Sequence, residues 1–241
     1  DVLGNIVPYQ SKVMAKWNDG SIKWLLLDIP ATAEANAAGQ YFIDYPVKKN
    51  PEKEKGFVFE TADQVIVDTG KIKFSVSKKS FRLFDKVWIG GKEVISFGSD
   101  LTLQFRGNVY KSSNDKKYTL TIEEAGPLVV GLKAEGWFVD SRGRKFCKFL
   151  TRIKAYKNES FVSVFHTFIY TGYPENKYHY LYKGMRLPKN ETIEDISLEM
   201  RVPEIMKGGI LTFAGDGKVF QMKKVPENVK ILQRKDDYFE I

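Results

Sequence analysis

The sequence predicts an all-β fold, in which a small, incomplete N-terminal β-barrel precedes a larger antiparallel β-sandwich. Short segments of alternating apolar and polar residues recur along the 241 residues, and Gly, Asn, Asp and Pro separate them. Apolar residues make up 43% of the chain and aromatic residues 14%, which is enough for a buried core. The sequence shows no long amphipathic segment that would predict a helix.

The first element in the chain is a tight hairpin. Its turn lies at residues 18–20, where Asn, Asp and Gly allow the positive φ that a short turn needs. The second strand, over residues 22–29, is apolar on both faces apart from one lysine, which is typical of a strand buried in a barrel or sandwich. We therefore expect Trp17 and Trp24 to pack in the core and at its edge, and not to contact a ligand.

Two further short strands are predicted in the N-terminal part, over residues 4–7 and 41–45, and each is ended by a proline. Between the hairpin and the second of these strands, residues 31–38 have a helical composition but no apolar stripe. This pattern predicts a loop with at most one helical turn. The charged segment 48–56 has no hydrophobic periodicity and is interpreted as a connector.

A long series of strands follows the connector, so we place a domain boundary at residue 60. Residues 1–60 are expected to form the barrel domain, truncated at its start, and residues 61–241 the sandwich domain. Within the sandwich, residues 108–110 and 118–122 are expected to pair as a hairpin around a polar tip. The other predicted strands cover residues 64–70, 71–77, 81–89, 92–97, 101–105, 128–137, 145–156, 161–170, 194–203, 209–213, 218–222 and 231–241.

The net charge of +8 originates in the second part of the chain. Residues 1–60 contain 7 Lys and 8 acidic residues, a net charge of −1, so residues 61–241 carry +9. Scattered lysines on a solvated face explain this excess, and an anionic partner such as an acidic polysaccharide is the alternative. Nucleic acid is not expected, because alternation within residues 145–149 places the aromatic rings on the face opposite the lysines.

The single cysteine, Cys147, excludes an intrachain disulfide, and its place in an alternating segment predicts a buried structural thiol. One cysteine and two distant histidines cannot supply the tetrahedral ligand set of a zinc site. Phosphate-binding glycine loops and the nucleophile elbow of serine hydrolases are absent from the sequence. We therefore expect no metal and no cofactor. Apolar runs long enough to span a bilayer are also absent, so no membrane span is expected.

Two regions carry residue types suited to acidic sugars. His166 lies in a strand whose alternation puts it on one face with Val164 and Phe168, which indicates either a hydrogen-bonded, partly buried histidine or a catalytic base. Residues 178–186 combine aromatic rings, which stack on sugars, with groups that neutralise uronate carboxylates. The candidate substrate-binding residues are Tyr178, His179, Tyr180, Tyr182, Lys183, Arg186 and His166.

Several segments together resemble one family. Residues 7–10 (Val-Pro-Tyr-Gln), followed by residues 17–28 with Asp-Gly-Ser-Ile-Lys-Trp, resemble the N-terminal barrel domain of the exo-rhamnogalacturonan lyase family. The segments that resemble the β-sandwich of that family are residues 67–76, 124–128, 151–156 and 166–169. In the family a large α/α toroid follows these two β domains and is expected to carry much of the active-site cleft, whereas this sequence contains no helical hairpins.

The resemblance implies a secreted or periplasmic bacterial protein that handles pectin-like acidic polysaccharide. The first hypothesis is that the chain supplies non-catalytic β modules, which scaffold or line the cleft of a missing C-terminal α/α toroid. A freestanding carbohydrate-binding or cell-surface module is the alternative. We assign no catalytic residue and expect the chain itself to be inactive, whereas a full-length protein of this kind would be a polysaccharide lyase acting by β-elimination. A third hypothesis, in which His166 or residues 178–186 perform elimination alone, stays open.

Overall fold

A computed structural model of the chain describes residues 7–43, 56–95, 99–171 and 193–200 with their side chains, and four further strands as backbone. Within these residues every regular element is a strand, apart from the short 3₁₀ helix Ser112–Asn114. The all-β class predicted from the sequence is confirmed. No helix in the described part of the chain is long and apolar enough to cross a membrane.

The N-terminal hairpin consists of β1 (Gln10–Lys16) and β2 (Ile22–Asp28), which pair antiparallel. Its turn is closed by the backbone N–H of Trp17, which donates to the carbonyl of Ser21 at 2.9 Å. Gly20 has a φ of +87°, a conformation that favours glycine over any residue with a Cβ. The hairpin predicted from the Asn-Asp-Gly tripeptide is therefore confirmed.

The predicted burial of this hairpin is wrong. Trp17 is 55% exposed and Trp24 is 64% exposed, and the first half of β2 lies open to solvent. Within the described residues β1 and β2 form a sheet of their own, and no third strand pairs with them. Residues 41–43, the described part of the predicted strand 41–45, form no strand, while residues 31–38 form a loop with one turn as predicted.

A five-stranded antiparallel meander forms the first layer of the sandwich. Each of its strands pairs with the next along the chain, and the alternation predicted for residues 71–77 is confirmed because Phe74 and Val76 are each 1% exposed. The division of the chain at residue 60 stays a prediction. The strands are β3 (Val58–Glu60), β4 (Gln64–Asp68), β5 (Ile72–Ser77), β6 (Lys86–Ile89) and β7 (Lys92–Ile95).

A seven-stranded antiparallel sheet forms the second layer. Its strands are β8 (Ser99–Phe105), β9 (Asn108–Lys111), β10 (Thr119–Ala125), β11 (Val129–Asp140), β12 (Lys145–Tyr156), β13 (Val162–Ile169) and β14 (Ile193–Met200). They lie in the order β13-β12-β11-β9-β8-β14, and β10 pairs with β11 beside this path. The long strands β11 and β12 form the centre of the layer.

The hairpin predicted from residues 108–110 and 118–122 is wrong. β9 pairs with β8 and with the end of β11, whereas β10 pairs along β11. The polar segment between β9 and β10 contains the 3₁₀ helix and the buried Asp115, whose carboxylate accepts the backbone N–H of Trp137 at 2.8 Å. Because the Asp115 side chain holds the segment between β9 and β10 against β11, this segment leads from β9, which pairs with β8, to β10, which pairs with β11. It therefore does not form the turn of a hairpin.

One hydrophobic core joins the two layers. Phe81 and Phe84, within the predicted strand 81–89, precede β6 and lie buried outside any strand. The ring of Phe81 stacks on that of Phe149 from β12 at 5.1 Å, and Phe84 packs edge-on to Phe74 at 5.3 Å. Burying a Phe side chain contributes about 1.5–3 kcal/mol, so these ring contacts make a large part of the attraction between the layers.

Two short hairpins follow in the C-terminal part of the chain. β15 (Leu211–Gly215) pairs antiparallel with β16 (Lys218–Met222), and β17 (Leu232–Lys235) pairs antiparallel with β18 (Tyr238–Glu240). The strands predicted over residues 209–213 and 218–222 are thus present with small shifts at their ends.

Candidate functional site

His166 lies on β13 with its ring against the core. Its Nδ1 is 2.8 Å from the hydroxyl oxygen of Thr151, and its ring stands edge-on to Phe138 at 6.2 Å. Its Nε2 is buried and meets no hydrogen-bond partner in the described part of the chain. Burial lowers the pKa of His166 below its ordinary value of 6.5, because the charged form loses hydration. The ring is thus a neutral, partly buried group, and any role in binding stays a prediction.

The second region predicted to contact a substrate lies outside the described residues. Its role therefore stays a prediction. The residues concerned are Tyr178, His179, Tyr180, Tyr182, Lys183 and Arg186.

The N-terminal hairpin is fastened to the sandwich by Gln10, which is 7% exposed. Its Oε1 accepts the backbone N–H groups of Leu128 at 2.9 Å and Val129 at 2.8 Å. Its Nε2 donates to the carbonyl of Val129 at 3.0 Å and to the carboxylate of Glu124. A Cβ on Gly126 would lie 2.0 Å from the Gln10 Oε1, so only glycine leaves room for this side chain. Residues 7–10 and 124–128, two of the segments that carry the family resemblance, therefore meet at one contact.

A cleft of 510 Å³ lies beside this contact. Inside it, Arg152 donates to both carboxylate oxygens of Glu123, at 2.8 and 3.2 Å. These hydrogen bonds hold the pKa of Glu123 below its ordinary value of 4.5. The charges of the cleft are therefore largely satisfied within the protein. Its lining residues are Lys12, Met14, Leu26, Glu123, Glu124, Arg152 and Lys154.

A different charge pattern occurs on the outer face of the seven-stranded sheet. The half-buried Trp137 of β11 lies between two exposed lysines of β12, and the ammonium groups of Lys145 and Lys148 lie 5.7 and 4.8 Å from its ring centroid. Within the described residues neither lysine forms an ion pair with a carboxylate. This group, which we call the Trp137 patch, consists of Trp137, Lys145 and Lys148.

A β-bulge creates the patch. Trp137 is opposite Lys148, whereas the next residue, Phe138, is opposite Phe146, so Cys147 is the extra residue of β12. Its φ of +60° lies in the left-handed region that residues other than glycine rarely adopt. The bulge breaks strict alternation and puts both lysines on the side of the indole. Cys147 itself is fully buried, and burial raises the pKa of its thiol, so the predicted structural thiol is confirmed.

Sequence reasoning missed both Gln10 and the Trp137 patch. The rings of Phe146 and Phe149 turn away from the lysines because of the bulge at Cys147, since strict alternation would place Phe149 on the same face as Lys145. The indole comes from the neighbouring strand, and only the register between β11 and β12 brings it to the lysines. Among the described residues no group of three or more His, Cys, Asp or Glu could hold a metal ion.

Comparison with known families gives two matches. The family model of the PcRGLX-like protein central beta sandwich domain matches residues 57–187, and that of the PcRGLX-like N-terminal RIFT barrel domain matches residues 1–44. No curated protein matches the chain. The order of the two matches confirms the resemblance to exo-rhamnogalacturonan-lyase-like proteins that the short segments indicate.

Proposed function

Because this chain belongs to the PcRGLX-like protein family, we propose that it supplies non-catalytic β modules to a secreted or periplasmic polysaccharide-degrading protein. In this proposal the modules scaffold an α/α toroid, or line its cleft, and the assembled protein is a lyase that cleaves a pectin-like acidic polysaccharide by β-elimination. The proposed localisation and the bacterial source come from the resemblance alone.

The observation that carries the proposal is the contact made by Gln10. Its hydrogen bonds to the backbone of Leu128 and Val129 join the barrel hairpin to the sandwich. These hydrogen bonds fix the position of the hairpin relative to the sandwich. A scaffold requires such a fixed arrangement in order to position a catalytic domain.

The chemistry of elimination supports a non-catalytic role for the described residues. A base must take the proton next to the uronate carboxylate, while positive groups or hydrogen-bond donors stabilise the negative charge that develops. His166 is neutral, and its Nε2 is buried and meets no hydrogen-bond partner among the described residues. The proposal therefore assigns proton abstraction to the toroid.

A second candidate function is a freestanding carbohydrate-binding or cell-surface module. The Trp137 patch favours it, since a half-buried indole beside two lysines without a carboxylate partner among the described residues suits a sugar ring that carries an acid group. The two candidates differ in what the rest of the gene encodes.

The test begins with the source gene and continues with a titration. We expect the reading frame to encode an α/α toroid beyond these modules, and the separately expressed toroid to bind the 241-residue chain in isothermal titration calorimetry. The variant Gln10→Ala should weaken this binding by loosening the hairpin, while Ser11→Ala, at the exposed neighbouring position, should not. A gene that encodes these modules without a toroid would contradict the scaffold function and favour the freestanding module.

A further inference from the structure

We propose that the Trp137 patch is a binding subsite for a single uronate residue of an acidic oligosaccharide. This inference rests on the proposed function, because it names the substrate class and the place where the β modules would hold it. The described strands around Trp137 fix the indole, and the two lysines supply the charge for the carboxylate.

Two other cations of this face are paired, since Lys133 lies 2.8 Å from a carboxylate oxygen of Glu135 and Arg152 bonds to Glu123. Lys145 and Lys148 have no such partner among the described residues, so their positive charge is available to an anion. Two ammonium groups beside the same indole repel each other, and an anion bound there relieves that repulsion.

The bulge at Cys147 determines where the two lysines point. A strand of regular alternation would turn one of them inward, because residues 145 and 148 are an odd number of positions apart. The extra residue Cys147, held at a positive φ, turns both outward beside the same indole. Bulges often serve to re-aim side chains next to functional sites, and here the strained residue produces a group of two cations and one ring.

A uronate has both groups that the patch can bind. A pyranose presents a face of C–H groups that stacks on an indole, and a uronate carries one carboxylate at its edge. In the free protein the lysine ammonium groups lie over the ring, held only by a cation–π contact on flexible stems. A stacking sugar displaces the ammonium groups from the ring, and they then form ion pairs with the carboxylate of that sugar. A single-stranded nucleic acid would call for successive rings along the face, and the patch holds one.

The experiment measures binding of an oligogalacturonide trimer to the 241-residue chain by isothermal titration calorimetry. We expect Trp137→Ala to weaken binding by about tenfold or more, through loss of stacking. The variant Lys145→Gln/Lys148→Gln should weaken it to a similar degree, and wild-type affinity should fall as salt is raised. Matched controls are Trp24→Ala, at an exposed tryptophan of the hairpin, and Lys92→Gln, at an exposed lysine of the other layer; both should bind as the wild type does.

The methyl-esterified trimer, which has the same rings without the charges, separates the two contributions. It should bind wild type and Lys145→Gln/Lys148→Gln equally, and it should lose affinity for Trp137→Ala. Trp137→Phe, which keeps a stacking ring, should retain part of the affinity. This variant is the control for a loss of binding that arises from misfolding of Trp137→Ala.

Three results would overturn the subsite: no binding of the trimer, equal binding by all variants, or tighter patch-dependent binding of a single-stranded oligonucleotide. If the trimer does not bind while the toroid still binds the chain, the subsite is wrong and the scaffold function stands. If the trimer binds through the patch and no toroid is encoded, the scaffold function is wrong and the subsite stands.

Discussion

The contact between Gln10 and Gly126 can be tested by a double-mutant cycle. In Gly126→Ala the new Cβ would lie 2.0 Å from the Oε1 of Gln10 and 2.1 Å from its Cδ. Both distances are far below van der Waals contact, so the Gln10 side chain must leave its site. Its hydrogen bonds to the N–H groups of Leu128 and Val129, and to the carbonyl of Val129, are lost together.

The size of the effect follows from these groups. A buried backbone group that loses its partner costs about 1–3 kcal/mol, and the lower end applies here because water can reach the edge of the contact. We therefore expect Gly126→Ala, and likewise Gln10→Ala, to lower the free energy of hairpin opening by about 2–4 kcal/mol. In the Gln10→Ala background the three atoms nearest to the new Cβ at position 126 are gone, so its further cost should stay below about 0.5 kcal/mol.

Native-state hydrogen exchange of the β1 amides measures this free energy directly, because it reports opening of the hairpin while the sandwich stays folded. Ser11→Ala serves as the control, since Ser11 is exposed on the same strand. The predicted coupling energy between positions 10 and 126 is about 2–3 kcal/mol. Additive costs, with a coupling below about 0.5 kcal/mol, would refute the account of how the hairpin is held.

The other predictions concern single residues of the sandwich. Gly136→Ala should lower the free energy of unfolding in urea by about 1–3 kcal/mol, because its Cβ would lie 2.8 Å from the ring of Phe149; an unchanged midpoint would contradict the packing. Glu123→Gln should cost less than about 1 kcal/mol near neutral pH, since the pair with Arg152 is partly exposed. This difference in thermal stability should vanish as the pH falls below 4.5 and the carboxyl of the wild type is protonated, and a constant difference would argue against the ion pair. For His166, the pKa of the folded state lies below 6.5, so the unfolded chain binds the proton first and stability falls as the pH drops below 6.5. His166→Gln should remove this contribution from the plot of melting temperature against pH, and an unaltered slope would contradict the burial of a neutral ring.

Local features of this fold are predictable because neighbouring residues determine them. The turn at residues 18–20 depends on three adjacent residues, and the alternation of β5 depends on one strand. Long strands such as β11 and β12 also carry a strong signal, since each runs for 12 residues. These elements match their predictions closely.

Features that depend on distant residues are not predictable in this way. The pairing of β10 with β11 instead of β9 depends on Asp115, which reaches a backbone N–H 22 positions away. The exposure of Trp17 depends on what covers the hairpin, and apolar composition alone does not reveal it. The Trp137 patch requires the register of two strands and the bulge at Cys147, neither of which a single alternating segment specifies.

The central claim is that these β modules do not themselves cleave the polysaccharide. The most direct measurement incubates the 241-residue chain alone with rhamnogalacturonan and follows the ultraviolet absorbance of unsaturated uronate, over a range of pH and with or without added divalent cation. The account predicts no rise in absorbance under any of these conditions. A sustained rise that disappears in His166→Ala would contradict it, and would place the base of the elimination within the modules.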